Sequence, residues 1–265
     1  MICHPKMVPG LVTVIVPFFN REQYLAQTIR SILNQSHESL ELILVDDGSS
    51  DSSFSVVQSF PDPRIRCVQL IKRSGKSAAL NQVLPLARGE WLTFFDSDDI
   101  MTRDSLKARI EFFEKNPKAL SVIGRIGRLI DDQGKTVSKT HPLNQYLRDS
   151  LRVTRQLAQS IGSLIPELFT YENCPLGPLN AALLRRELVE QIGWFRENFA
   201  PWEDREYMIR AAVRQPVQFL DRAVIWYRVH DSNLSFKIVN GKLKRRSNLR
   251  LEIRYKKHCV NLIGG

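Results

Sequence analysis

Three carboxylates fall within four residues at Asp96-Ser97-Asp98-Asp99, directly after the apolar run Glu90-Trp91-Leu92-Thr93-Phe94-Phe95. The run reads as a buried strand, so the acids stand at a strand end. A half-buried charge there must be paired, solvated or bound to a metal. Carboxylate oxygens are hard ligands suited to Mg2+ or Mn2+, ions that prefer carboxylates combined with substrate phosphates. The plain alternative is a solvated acidic turn that caps the next helix, a role that suits Asp99.

These acids need a scaffold, and the first hundred residues supply one. Leu11-Val12-Thr13-Val14-Ile15-Val16 is continuous and β-branched, as in a strand buried on both faces, and Pro17 is expected to end it. Asn20 reads as a helix N-cap with Gln23 placed to reach back, and Leu25, Ile29, Ile32 and Leu33 give that helix an apolar face. Glu41 to Val45 reads as the second strand, leading into the turn-forming cluster Asp46-Asp47-Gly48-Ser49-Ser50-Asp51. Ile65 to Ile71 reads as the third strand, Gly75 to Leu84 as a helix stopped or kinked by Pro85, and Trp91 to Phe95 as the fourth strand. Alternating strand and helix predicts a mainly parallel sheet with helices on both faces, whose ligands bind at the carboxyl ends of the strands. Pro17 to Asn20, Asp46-Asp47 and Asp96 to Asp99 then converge on one rim.

Beyond the rim, Thr102 reads as an N-cap for a helix through Leu106, Ile110 and Phe113. Leu120 to Ile130, a turn at Asp131 to Gly134, and Lys135 to Ser138 read as an antiparallel excursion. Further elements are expected at Leu147 to Ile161 (helix), Asn180 to Leu184 (strand), Glu187 to Ile192 (helix ending at Gly193), Glu203 to Val213 (helix) and Val217 to Tyr227 (strand). The last thirty residues are basic, with Lys237, Lys242, Lys244, Arg245, Arg246, Arg250, Arg254, Lys256 and Lys257 against Glu252. They read either as a solvated helix or as a basic amphipathic helix over 237–257 that rests on an anionic membrane.

The 265 residues suit one sizeable domain, and the net charge of +10 points to anionic partners: nucleotides, nucleic acid or an acidic membrane surface. Cys3, Cys67, Cys174 and Cys259 are scattered without a CxxC pair, as expected of free thiols in a reducing compartment. The apolar run Leu11 to Phe19 is too short to span a bilayer, and the first ten residues lack a secretory layout. The expected location is cytoplasmic, with peripheral contact at the inner face of the membrane.

Val12-Thr13-Val14-Ile15-Val16-Pro17-Phe18-Phe19-Asn20, then Leu44-Val45-Asp46-Asp47-Gly48-Ser49-Ser50-Asp51, then Gly89-Glu90 leading to Asp96-Ser97-Asp98-Asp99, resemble family 2 glycosyltransferases. The resemblance runs from about Val12 to Ser235, more loosely in its second half. There Trp202-Glu203-Asp204-Arg205-Glu206-Tyr207 is similar to the family's Glu-Asp motif, and Tyr227-Arg228-Val229-His230-Asp231-Ser232-Asn233-Leu234-Ser235 to a closing motif of bacterial members. It implies a GT-A fold: α/β, Rossmann-like, with a mixed, mainly parallel sheet and a basic C-terminal helical tail. One domain would occupy 1–235, with a nucleotide-binding half at about 11–100 and an acceptor-side half at about 101–235, and the tail would occupy 236–265. It also implies transfer of a sugar, with inversion, from a nucleotide diphosphate to a hydroxyl of a glycan or lipid-linked acceptor.

Through the resemblance, Asp98 becomes the ligand of Mn2+ or Mg2+ on the diphosphate, and His230 either completes the metal site through a ring nitrogen or is a structural residue near the strand end. Asp96 would face the ribose hydroxyls, where a carboxylate accepts charge-assisted O–H bonds. Asp47 would accept the N3–H of uracil, a hydrogen that cytosine lacks, although thymine and guanine offer comparable ones. Asp204 would be the base that deprotonates the acceptor hydroxyl, or else would pair with Arg205 or Arg210 at the helix start. Glu203 would orient the helix or bind acceptor. Pro17 and Phe19 would line the donor site, and Arg73 and Lys76 would approach base and phosphates. Leu80 stands where the family often has Arg.

Two other classes compete. A nucleotidyltransferase would favour a Gly-rich phosphate loop with Lys after the first strand, where this chain has Pro17-Phe18-Phe19-Asn20. A basic nucleic-acid-binding protein would suit the charge, but no helix-turn-helix, aromatic RNA-binding pattern or zinc finger is present, so no nucleic-acid partner is expected.

Overall fold

The computed structural model describes residues 5–139, 178–200, 203–231, 233, 236–239 and 242–245. Strand and helix alternate first: β1 (Val8–Phe18), α1 (Leu25–Leu33), β2 (Leu40–Asp46), α2 (Ser53–Gln58), β3 (Ile65–Gln69), α3 (Lys76–Val83) and β4 (Gly89–Phe94). β3, β2, β1 and β4 lie side by side, all parallel. Every residue of β2 is buried, and so are Val12 to Phe18 of β1, because helices cover both faces. Leu25, Ile29 and Ile32 of α1 are fully buried, each contributing about 1.5–3 kcal/mol by leaving water.

The second half extends the sheet with β5 (Ile100–Met101), α4 (Ser105–Lys115), β6 (Ser121–Ile130), β7 (Thr136–Ser138), β8 (Ala182–Arg185), α5 (Arg186–Ile192), α6 (Glu203–Arg214) and β9 (Gln218–Arg228). The order is β3-β2-β1-β4-β8-β6-β9-β5, with β7 antiparallel on β6. β8 runs antiparallel to both β4 and β6, β9 pairs parallel with β6, and β5 pairs antiparallel with β9. The fully buried Arg109 of α4 fastens this half by donating to Ala182 O at 2.8 Å and to Ser105. Burial alone lowers its pKa to about 9.

Several boundaries differ from expectation, each for a physical reason. Pro17 does not end β1; it pairs with Val45. Its missing N–H faces the β4 side, where pairing has already stopped at Ile15 and Phe94, so no ladder bond is lost. Asn20 does not cap α1. It has φ of 51° and binds the neighbouring loop, while α1 starts at Leu25 with Tyr24 as N-cap and no side-chain cap, so the Gln23 capping box is absent as well. Thr102 donates its hydroxyl to Ala223 O at 2.8 Å, and α4 is instead preceded by Asp104. β3 stops at Gln69, leaving Ile71 fully exposed. Pro85 tightens the end of α3 into a 3-10 turn, Leu84–Leu86. Asn180 lies in the 3-10 turn Leu179–Ala181 before β8.

The expected basic helix begins instead as an antiparallel hairpin of β10 (Phe236–Val239) and β11 (Lys242–Arg245), with Lys237 opposite Lys244. The Asn240-Gly241 dipeptide between these strands is a hairpin signal in the sequence. The rest of that helix, the expected helix at Leu147 to Ile161, and Cys3, Cys174 and Cys259 lie outside the described residues. Cys67 is a free, half-buried thiol whose pKa is pushed up to about 12, mainly by burial.

Candidate active site

The ends of β1 and β2 are clasped by polar side chains. Asn20 Oδ1 accepts Ser50 N at 2.9 Å and its own N–H donates to Ser49 Oγ at 3.0 Å. Arg21 N donates to Ser53 Oγ at 2.6 Å, and Glu22 N to Asp51 Oδ2 at 3.2 Å. Asp46 accepts Ser49 N at 2.8 Å, and Asp51 accepts Ser53 N at 2.9 Å, so these two acids shape the turn as expected.

Asp47 organises the next loop. Its Oδ1 accepts Ser74 N at 2.7 Å and Ser74 Oγ at 2.8 Å, and Oδ2 accepts Gly75 N at 2.9 Å. One acceptor position on Oδ2 remains for a ligand. Gly48 permits this approach: its φ is 74°, and a Cβ there would sit 2.8 Å from Arg73 N. The exposed Arg73 guanidinium lies over the Phe19 ring, 4.2 Å from its centroid. Pro17 stays within β1.

The acids after β4 each have separate partners. Asp96 binds Lys76 Nζ at 2.6 Å and Asn180 Nδ2 at 3.0 Å. Asp98 Oδ2 faces His230 Nε2 at 3.0 Å and Arg21 Nε at 3.5 Å. Asp99 does not merely cap a turn. It is 1% exposed, accepting Asn180 Nδ2 at 2.6 Å and Arg228 N at 2.8 Å. The fully buried Arg228 side chain reaches Asp98 O at 2.8 Å and Gln27 Oε1 at 2.7 Å.

The electrostatics separate the three acids. Burial, reinforced by Asp98 and Asp96, pushes Asp99 well above the usual carboxylate range. Burial also raises Asp96, against the pull of Lys76. Burial would raise Asp98 too, but the His230 hydrogen bond and the Arg21 charge outweigh it and hold that carboxyl low. Lys76 is raised: burial would lower it, but Asp96, Glu203 and Asp204 more than compensate.

α6 brings Glu203 and Asp204 to the same rim. Stacking of Tyr207 on Phe195 at 4.0 Å, with Phe94 against both, seats the helix beside β4. Glu203 Oε1 lies 3.8 Å from Lys76 Nζ, while its buried Oε2 has no hydrogen-bond partner among the described residues. Burial raises the Glu203 pKa. Asp204 is half-buried and accepts Arg205 N at 2.8 Å. Arg210 does not pair with Asp204; both of its bonds to carboxylate, each 2.8 Å, go to Glu206. His230 is buried, its ring stacked on Tyr24 at 4.8 Å, and its backbone N–H donates to Asn233 Oδ1 at 2.6 Å.

The structure thus gathers Asp47, Lys76, Asp96, Asp98, Glu203, Asp204 and His230, with Phe19 and Arg73 at the edge. Sequence reasoning missed Arg21, Asn180 and Arg228. Arg228 lies inside the quoted closing motif, whereas Arg21 and Asn180 carry no local signal. Among the described residues no group of three His, Cys, Asp or Glu side chains is arranged around one point. Asp98 and His230 nevertheless offer one oxygen and one nitrogen donor, and Asp98 Oδ1 has no partner among the described residues. That pair fits an ion that completes its shell with phosphate and water.

Residues 13–193 match the model described as glycosyl transferase family 2. This chain belongs to that family. A stretch of 108 residues, 40% of this chain, is 40% identical to 43% of an uncharacterized glycosyltransferase of Haemophilus influenzae. The structure of S. aureus TarS 1-349 in complex with UDP-GlcNAc superimposes with a TM-score of 0.64 at 19% identity, covering 84% of this chain and 59% of that one. The mannosyltransferase PcManGT of Pyrobaculum calidifontis, in complex with GDP-Man and Mn2+, gives a TM-score of 0.60 at 24% identity, covering 83% and 57%. These likenesses establish the GT-A fold for this family 2 chain, which spans roughly half the length of the relatives it matches. Among the described residues no helix is long and apolar enough to cross a membrane.

Proposed function

We propose that this chain is a metal-dependent, inverting glycosyltransferase that moves a sugar from a nucleotide-diphosphate donor, a UDP-sugar, to a hydroxyl of a glycan or lipid-linked acceptor. The observation that carries this reading is the meeting of two acidic strand ends, Asp46-Asp47 after β2 and Asp96 to Asp99 after β4, with the Glu203-Asp204 helix start on one rim. The nucleotide-sugar complexes of TarS and PcManGT, and the Mn2+ in the latter, support it.

In this reading the remaining acceptor position of Asp47 takes the N–H of the base, and Asp96 turns from Lys76 to the ribose hydroxyls. Lys76, released, faces diphosphate. Asp98 and His230 would hold Mn2+ or Mg2+, which would stabilise negative charge on the departing diphosphate. Asp204 accepts the acceptor's hydroxyl proton as that oxygen attacks the anomeric carbon opposite the leaving group, which inverts the centre. The basic segment 237–257 makes peripheral contact with an anionic membrane at its cytoplasmic face.

Titration calorimetry with UDP tests the donor site. Binding is expected to strengthen with Mn2+, and Asp98→Asn is expected to remove at least tenfold of that metal-dependent gain. UDP binding that is independent of metal and unaffected by the substitution would remove the metal assignment. A thermal-shift panel of nucleotide sugars with Mn2+ then selects the donor.

A further inference from the structure

We propose that Arg21 is an internal counter-ion for Asp98 that the donor's diphosphate draws away, so that the divalent ion and the nucleotide bind interdependently. This rests on the metal and donor reading above.

The contact is looser than the bidentate ion pairs of this molecule. Arg64 binds Asp62 through two side-chain bonds of 2.8 and 3.0 Å, and Arg210 binds Glu206 through two of 2.8 Å. Arg21 offers Asp98 only Nε, at 3.5 Å, on the same Oδ2 that His230 approaches at 3.0 Å. Its Nη1 reaches two carbonyls, Asn20 O at 3.1 Å and Phe19 O at 3.5 Å.

The backbone of Arg21 is nevertheless fixed, by its own N–H on Ser53 and by the bonds of Asn20 and Glu22 to the 49–51 turn. An anchored backbone carrying a loosely paired, part-exposed guanidinium is free to change partner. Without nucleotide, Arg21 both neutralises Asp98 and repels a second cation, so a divalent ion meets a site that is already partly filled. A diphosphate beside the ion offers the guanidinium a stronger, bidentate partner. Arg21 then ceases to oppose the ion and begins to hold the nucleotide. The Arg-free site is predicted to bind the ion better alone and to gain less from nucleotide, and linkage makes that loss reciprocal.

The test measures Mn2+ binding to the full chain by the electron paramagnetic resonance of free Mn2+, with and without UDP, and UDP binding by calorimetry. Thermal melts check folding. Wild type is expected to bind Mn2+ weakly alone and more tightly with UDP. Arg21→Gln is expected to tighten Mn2+ binding without UDP by about three- to tenfold and to shrink the gain from UDP by a similar factor. Arg21→Lys, which keeps the charge, should restore most of the wild-type pattern. A variant that binds Mn2+ equally or more weakly without UDP overturns the proposal, because a purely structural Arg21 gives that result. If wild type binds no Mn2+ even with UDP, the metal reading itself fails and takes this proposal with it.

Discussion

Glu203 and Asp204 are adjacent on the first turn of α6 yet have different surroundings. Among the described residues, Glu203 is buried against Lys76 with one oxygen unpartnered, whereas Asp204 is half-buried and accepts one backbone N–H. Asp204, the more open of the two, is the one proposed to take the proton of an incoming hydroxyl. Asp204→Asn is expected to leave UDP binding within about twofold while transfer falls by roughly 10²- to 10⁴-fold, measured by calorimetry and initial rates. Normal turnover in that variant would exclude Asp204 as the base. Asn180 belongs to this scale too, because one amide group donates to both Asp96 and Asp99. Asn180→Ala leaves both oxygens short of a donor. The expected loss is about 1–3 kcal/mol in urea unfolding, with Asp99 the larger contributor because it is the more buried.

Elements position these residues through close packing over glycine and through loop clasps. The Val224 side chain of β9 lies over Gly124 of β6 so closely that a Cβ there would sit 2.3 Å from Val224 Cγ1. Gly124→Ala is therefore expected to destabilise by about 1–3 kcal/mol, read from the urea midpoint; an unchanged midpoint would mean that the two strands yield freely. The turn before β3 is held by the Asp62–Arg64 pair, and Arg64 keeps the Asp62 carboxyl below its ordinary value. A depressed folded pKa gives stability that is present above the unfolded pKa and is lost as pH falls through the folded one. Asp62→Asn should thus lower the urea midpoint near neutral pH, with the difference from wild type shrinking as pH falls below the ordinary carboxylate range. A difference that persists in acid would show that the pair acts through shape rather than charge.

At the scale of the molecule, the parallel half β3-β2-β1-β4 carries the groups assigned to the donor, and the mixed half returns β9 so that Arg228 and His230 meet Asp98 and Asp99. The charge of +10 is concentrated toward the C-terminus, where a hairpin replaces the first part of the expected helix. Truncation after Ser235 is expected to reduce sedimentation with phosphatidylserine vesicles at low salt and to leave sedimentation with neutral vesicles unchanged. Equal sedimentation of the two forms would make the tail a solvated appendage.

The sequence alone determined the alternation of buried strands with helices, because continuous β-branched runs such as Val12 to Val16 and apolar stripes such as Leu25, Ile29 and Ile32 are local patterns. It also determined that Asp47 and Asp96 to Asp99 stand at strand ends, and the motif order pointed to the family. Only the tertiary structure decided the partners. Asn180 beneath two acids, Arg21 on Asp98 and Lys76 between Asp96 and Glu203 are contacts across many intervening residues, set by strand order and packing. Pro17 inside β1 and Asn20 as a clasp follow the same logic: a residue's local preference yields when the neighbouring strand, or its absence on one side, decides which backbone groups need a partner.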